Sequence, residues 1–196
     1  MKFSTLRSLY LDPLLDLLDS RNGSIFDNET LVLLLDFKSN RTQLLPYVEK
    51  HLEPFREKNY TTLRDGIGWP ITIVASGNAP SDLPSDIFLD ADISNLGSSN
   101  TSTAYDASAS LSKALGSSVL GRLSSKQRAR MQEQIQEAHE KGLKARYWDT
   151  PSWPVSRRNW FWETLVEEGV DVLNVDDLTA AACLDWGFVR WGWFDG

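Results

Sequence analysis

Apolar residues along this chain fall into two kinds of pattern. Six short stretches read as buried strands, several of them apolar almost without a break: residues 31–38 (LVLLLDFK), 71–77 (ITIVASG), 87–93 (IFLDADI), 103–110 (TAYDASAS), 143–150 (LKARYWDT) and 170–176 (VDVLNVD). Burial of both faces gives strands of that kind, as in a parallel sheet. Elsewhere the apolar positions recur at helical spacing. Leu14, Leu15 and Leu18 predict a helix over 11–18, and Leu44, Leu45, Val48, Leu52 and Phe55 an amphipathic one over 42–58. Residues 124–141 are polar and helix-favouring, with Met131, Ile135 and Ala138 as a thin inner stripe, a Ser-Ser start and Gly142 just past the end. Residues 153–168 carry Pro154 in the first turn and Gly169 beyond the last, and 178–186 closes the series. Residues 78–85 and 94–102 are rich in Pro, Gly, Ser and Asn and read as loops.

Strand–helix alternation with no linker and no short repeat predicts one α/β domain over 1–196 with a parallel sheet. A doubly wound sheet would usually place a Gly-rich turn after its first strand, and none follows residues 31–38. Polar residues gather instead at the C-terminal ends of several strands, as in a barrel whose chemistry sits on one face. A closed barrel of that type has eight units in about 250 residues. Six strands in 196 residues therefore predict an incomplete TIM-type (β/α) barrel, short of two units. Its open edges favour self-association. The aromatic tail WGFVRWGWFDG, residues 186–196, reads equally as a lid on the barrel bottom or as an exposed segment.

Composition narrows the function. The apolar share of 41% is that of an ordinary globular chain. The net charge of −7 repels nucleic-acid phosphates in bulk and argues against a nucleic-acid groove, while leaving room for a local cationic pocket for one phosphate. The single cysteine, Cys183, permits no internal disulfide and, after three alanines, reads as a small buried helix residue. No run is long and apolar enough to cross a bilayer, and Arg7 and Asp12 interrupt anything like a signal-peptide core at the start. Five of the nine asparagines (Asn22, Asn28, Asn40, Asn59 and Asn100) head N-glycosylation triplets. Two readings stand: asparagines placed in turns of a Ser/Thr-rich chain, or a secretory-pathway or membrane-associated protein whose leader lies upstream.

The candidate chemistry sits at strand ends. Asp36 and Lys38 are two apart and project to one side, so a metal-binding carboxylate and a phosphate-binding ammonium can share one mouth. The alternative is a solvated strand end. Asn174 and Asp176 repeat that spacing on the last strand, Arg146 and Trp148 on the one before. Arginine grips phosphate in a fork and tryptophan walls a pocket against a lipid or choline head group. The alternatives are a salt bridge from Arg146 to Asp149 or Asp176, and core packing for Trp148. Asp90, Asp92, Tyr105 and Ser108 are further strand-end candidates, with Asp90 or Asp92 equally able to cap the next segment. Ala104, Ala107, Ser108, Ala109 and Ser110 read as tight packing inside the barrel. The two histidines, His51 and His139, fall in predicted helices and read as partly buried helix residues rather than general bases. No Cys/His nucleophile pair and no zinc site is expected.

The stretches LRSLYLDPLLDLLD, LVLLLDFKSN, ITIVASGNAP, LKARYWDTPSWP and GVDVLNVDDL occur in the order found in a fungal family. From about Thr5 to Trp186 the chain resembles the altered inheritance of mitochondria protein 6 family, within the phospholipase-C-like phosphodiesterases. That superfamily includes glycerophosphodiester phosphodiesterases and sphingomyelinase-D-like enzymes. The resemblance implies a TIM-type barrel, a divalent metal (usually Mg2+) and a lipid or glycerophosphodiester substrate. In that family the first strand bears a His-Asn-Asp type motif, the second a Glu-x-Asp pair, and a second histidine follows. None of these precedes Asp36, so the six strands correspond to the third through eighth. Carried over, Asp36 resembles the third metal carboxylate and Lys38 the catalytic phosphate-binding lysine. Trp148 and Asn174 resemble the pocket tryptophan and the last-strand asparagine, and Arg146 and Asp176 line the same expected pocket. The implied function is phosphoric diester hydrolysis, weak or absent in these 196 residues alone. A non-catalytic pseudoenzyme or interaction scaffold is the alternative.

Overall fold

The computed structural model describes residues 5–26, 29–65, 70–98, 101–117 and 121–184. Six strands follow one another: β1 (Leu31–Phe37), β2 (Ile71–Gly77), β3 (Ile87–Asp92), β4 (Ala104–Ser110), β5 (Lys144–Trp148) and β6 (Val172–Leu173). The helices are α1 (Asp12–Ser20), α2 (Arg41–Glu57), α3 (Leu111–Leu115), α4 (Ser125–Glu140), α5 (Val155–Glu167) and α6 (Leu178–Cys183). The sheet order is β1-β2-β3-β4-β5-β6, and each described register is parallel. A doubly wound sheet reverses its order at a switch point. This order runs with the chain, the singly wound arrangement of an incomplete TIM-type barrel. Among the described residues no helix is long and apolar enough to cross a membrane.

The chain divides into two compact units, Met1–Asp90 and Ala91–Gly196. In the first, β1 alternates. Leu35 and Phe37 are buried with Leu52 and Phe55 of α2, Leu11, Leu18 of α1, and Ile71, Ile73 and Ala75 of β2. Leu34 and Asp36 point the other way and are exposed. α2 starts where the Asn40 side chain accepts from the Thr42 and Gln43 backbone N–H groups, and it continues through Pro46 and Pro54. Each proline removes a helical donor, so this helix rests on its buried face rather than on propensity. Its end is tied to the start of β3 by a fork: Arg56 Nε and Nη2 donate to Asp86 Oδ2 and Oδ1 at 2.7 and 2.9 Å. Asp86 is buried.

The second unit packs Ala107 and Ala109 of β4, Ala145 and Tyr147 of β5, Met131, Ile135 and Ala138 of α4, and Phe161 and Leu165 of α5 around one core. The alanines of β4 thus face the helices, while Ser108 and Ser110 occupy the opposite face. Burial pushes the Tyr147 phenol above its ordinary value, and its hydroxyl donates to Gln134 Oε1 at 2.9 Å. α4 opens with a reciprocal cap between Ser124 and Gln127.

Several expectations are corrected. Residues 94–102 are not simply a loop, because Ile93–Ser98 forms short 3-10 turns. The five-residue α3, capped by the Ser110 side chain, was not legible as a helix. Pro154 stands at the N-cap of α5, not in its first turn. β5 stops at Trp148 because Asp149 adopts φ +57 and turns the chain. β6 spans only Val172–Leu173, not 170–176. Cys183 is exposed rather than buried. Asn22 and Asn59 occupy left-handed positions and Asn40 a helix cap, which supplies a turn-chemistry reason for three of the five triplets. Asn28, Asn100, Trp186 and the aromatic tail lie outside the described residues.

Truncating Asp86 leaves a guanidinium without its fork. Asp86→Ala is expected to cost about 3 kcal/mol in urea unfolding of the 196-residue chain.

Candidate functional site

In the first unit, the sequence places Asp36 and Lys38 on one side, and the structure joins them: Lys38 Nζ lies 2.5 Å from Asp36 Oδ2. The pair is open to water, with the lysine side chain 84% exposed. β2 ends beside it. Asp36 pairs in register with Ser76 and Phe37 with Gly77. Gly77 has φ +70, and a Cβ there would collide with Asp36 Oδ1 and meet Phe37 O at 3.0 Å. Glycine is therefore required twice, for the turn and for the carboxylate that lies against it. The turn is closed by the Asn78 backbone N–H donating to Phe37 O at 2.8 Å and Asn78 Nδ2 donating to Ser39 O at 3.3 Å. An exposed pair of this kind is worth only about 0–1 kcal/mol. The lysine can exchange its carboxylate for a phosphate oxygen at little cost.

In the second unit, Arg146 and Trp148 share a face of β5, but their environments differ. Arg146 is 7% exposed. Its Nη2 donates to Ser108 Oγ and its Nη1 to Asn174 Oδ1, both at 3.1 Å. Ser108 is its register partner on β4. These two hydrogen bonds lead to Ser108 and Asn174. Trp148 is 42% exposed rather than packed in the core.

Asn174 and Asp176 line a cleft of about 200 Å³ whose other described walls are residues 150–152, Arg158, Trp162, Val175 and Asp177. Arg146 and Trp148 are not among these walls. Arg158 lies over the Trp162 ring, 4.5 Å from its centroid, and its Nη1 donates to Asp177 Oδ2 at 3.0 Å. Arg158, Trp162 and Asp177 were missed by sequence reasoning. The available signal was the spacing of four between Arg158 and Trp162, which stacks two side chains on one helix face.

The remaining candidates have structural partners. Asp92 Oδ1 accepts from the Ser94 backbone N–H, the expected cap, and Asp92 Oδ2 accepts from Lys113 Nζ at 2.7 Å. Burial pushes the Asp92 carboxyl up, but the Lys113 ammonium and the Ser94 amide outweigh it and hold it below its usual value. Tyr105 carries the Lys144 ammonium over its ring. His51 lies in α2 and His139 in α4. His139 is exposed rather than partly buried, and its Nε2 lies 2.8 Å from Asp171 Oδ2.

Residues 1–91 match a family model described as the AIM6-like phosphodiesterase domain. An altered inheritance of mitochondria protein 6 homolog of Arthroderma benhamiae is 33% identical over 92% of this chain and 66% of its own length. The altered inheritance of mitochondria protein 6 of Eremothecium gossypii is 33% identical over 89% of this chain and 54% of its own length, and that of Zygosaccharomyces rouxii 32% over 90% and 53%. The chain is related to this fungal AIM6 family. It spans between about half and two thirds of the length of these relatives. No solved structure gives a significant match.

The AIM6 relationship raises the question of magnesium. Mg2+ takes six oxygen ligands, commonly one or two carboxylates with substrate phosphate and water. Asp36 is one carboxylate, already paired with Lys38. Among the described residues no group of three or more His, Cys, Asp and Glu could hold a metal ion. The described residues therefore do not by themselves fit a magnesium site.

Two outcomes follow from this geometry. Gly77→Ala is expected to destabilise by about 2 kcal/mol and to shift the Asp36 carboxyl signal in NMR spectra. The depressed Asp92 contributes stability that is present above the carboxylate's ordinary pKa of about 3.9 and is lost as pH falls through the lower, folded value. Asp92→Asn is therefore expected to show a smaller drop in urea midpoint between pH 7 and pH 3 than the parent chain.

Proposed function

We propose that this chain carries the phosphate-contacting part of a phospholipase-C-like phosphoric diester hydrolase acting on lipid or glycerol phosphodiesters. The observation that carries this reading is the water-exposed Asp36–Lys38 pair held against Gly77 at the ends of β1 and β2, within the residues matched by the phosphodiesterase family model. In hydrolysis, water attacks phosphorus, the ester P–O bond breaks, and the departing alcohol oxygen gains a proton. Lys38 holds a non-bridging oxygen of the phosphate and offsets the charge that builds on it. As the ammonium moves to phosphate, the Asp36 carboxylate is released. Within the second unit, Asn174 and Asp176 line a cleft whose polar groups suit hydroxyls. Trp148 of the same unit presents an exposed ring that suits apolar or lipid groups. Arg146 positions Asn174 through its hydrogen bond.

Proton transfer to the leaving oxygen is the step these residues serve least. Such transfer calls for a positioned acid, and both histidines of this chain stand on helices. The 196 residues are therefore expected to bind phosphodiester more readily than they turn it over. That same placement favours a second reading, a binding protein without turnover.

Binding and turnover are measured separately. Glycerophosphodiester binding by the 196-residue chain, read by calorimetry, is expected to weaken about tenfold in Lys38→Ala, the loss of one charge-assisted hydrogen bond. Unchanged affinity removes Lys38 from the site. A polypeptide extended to the length of the relatives is expected to release alcohol from glycerophosphodiesters or lysophospholipids. Binding without release in the extended polypeptide favours the non-catalytic reading.

A further inference from the structure

The cleft of the second unit is chemically selective. Its one aromatic wall, Trp162, is 2% exposed and already faces the Arg158 guanidinium at 4.5 Å. A quaternary ammonium is recognised by an open aromatic face. Here that face is taken by a cation. Arg158 is held in place by Asp177 Oδ2 and by Asn159 Oδ1, to which its Nε donates at 3.1 Å.

Hydrogen-bonding groups supply the rest of the recognition. Thr150 and Ser152 line the cleft, and their hydroxyls both donate and accept. Asn174 Oδ1 accepts from Arg146 Nη1, which orients its Nδ2 group as a donor. Asp176 adds a carboxylate acceptor, unfavourable for a phosphate and well suited to hydroxyl donors. Donors and acceptors on adjacent walls match groups that do both, namely alcohols. A cleft of about 200 Å³ has room for a small polyol, several waters across.

We propose that the cleft bounded by Thr150, Ser152, Arg158, Asn174 and Asp176 binds an uncharged, hydroxyl-rich alcohol group, such as glycerol or an inositol ring, and rejects trimethylammonium groups such as choline. This is independent of the phosphodiesterase reading, because the cleft lies wholly within the second unit. The cleft's selectivity stands on its own geometry. Arg158 is the specificity-determining residue, because it closes the aromatic face.

The test uses probes without phosphate, so its result is independent of Lys38. The 196-residue chain is titrated with myo-inositol, glycerol, ethanolamine and choline while the Trp162 indole and Asn174 side-chain signals are followed by NMR. Saturable shifts are expected with the polyols, with inositol at least about fivefold tighter than choline. Arg158→Gln is expected to narrow that ratio at least about threefold by opening the ring face to choline, and Arg158→Lys to leave it wider than Arg158→Gln does. Asp176→Asn, which keeps the shape of the wall, is expected to weaken inositol about threefold. Equal or tighter binding of choline or ethanolamine by the parent chain overturns the proposal, as does the absence of any shift at Trp162 and Asn174. If the polyols bind as expected while Lys38→Ala leaves phosphodiester affinity unchanged, the cleft assignment holds and the phosphate reading fails.

Discussion

The period of two along each strand is the constraint on which the rest depends. It sends alternate side chains to opposite faces of the sheet, and so separates what packs from what reacts. On β1, Leu35 and Phe37 enter the core while Asp36 remains in water. On β5, Ala145 and Tyr147 enter the core while Arg146 and Trp148 take the other face. A shift of one residue in either register would exchange the two sets. It would place a carboxylate or a guanidinium against the helices, at a cost no neighbouring group could offset.

Three cations named above are held with very different force. Lys38 is exposed and its partnership with Asp36 is weak. Arg146 is buried and fastened to Ser108 and Asn174, and moving it would leave buried polar groups without partners. Arg158 lies between these cases, stacked on Trp162 and tied to Asp177. The first can follow a ligand, while the other two shape what a ligand meets. Equal formal charge therefore gives three roles, and burial decides among them.

Three asparagine positions show how little a short motif says without its backbone. Asn22 and Asn59 follow helix ends with positive φ, and Asn40 opens a helix with its side chain. Each of these three triplet heads thus has a conformational use. The match of residues 1–91 to a phosphodiesterase family model adds what local geometry cannot, a relationship to one chemical class, for a sheet whose order alone is compatible with many chemistries.

The sequence by itself determined the elements and their order. All six strands were legible in place, several of them as near-continuous apolar runs such as Ile71–Gly77, whose first five residues are buried. The long helices were legible from spacing and from caps such as Ser124. That Asp36 and Lys38 lie on one side followed from strand period, and the structure added that they pair. Short or irregular pieces were not legible: α3, the turns at Ile93–Ser98 and the early end of β6 rest on single caps and backbone turns that leave no periodicity to read. Only the tertiary structure decided that Arg146 is spent on Asn174, that Trp148 is exposed, and that Arg158 and Trp162 share a cleft with Asp176. The physical reason is that a side chain's role depends on which partners reach it from elsewhere in the chain. Ser108 and Asn174 lie 38 and 28 residues from Arg146, and Asp177 lies 19 from Arg158, beyond the reach of any local pattern.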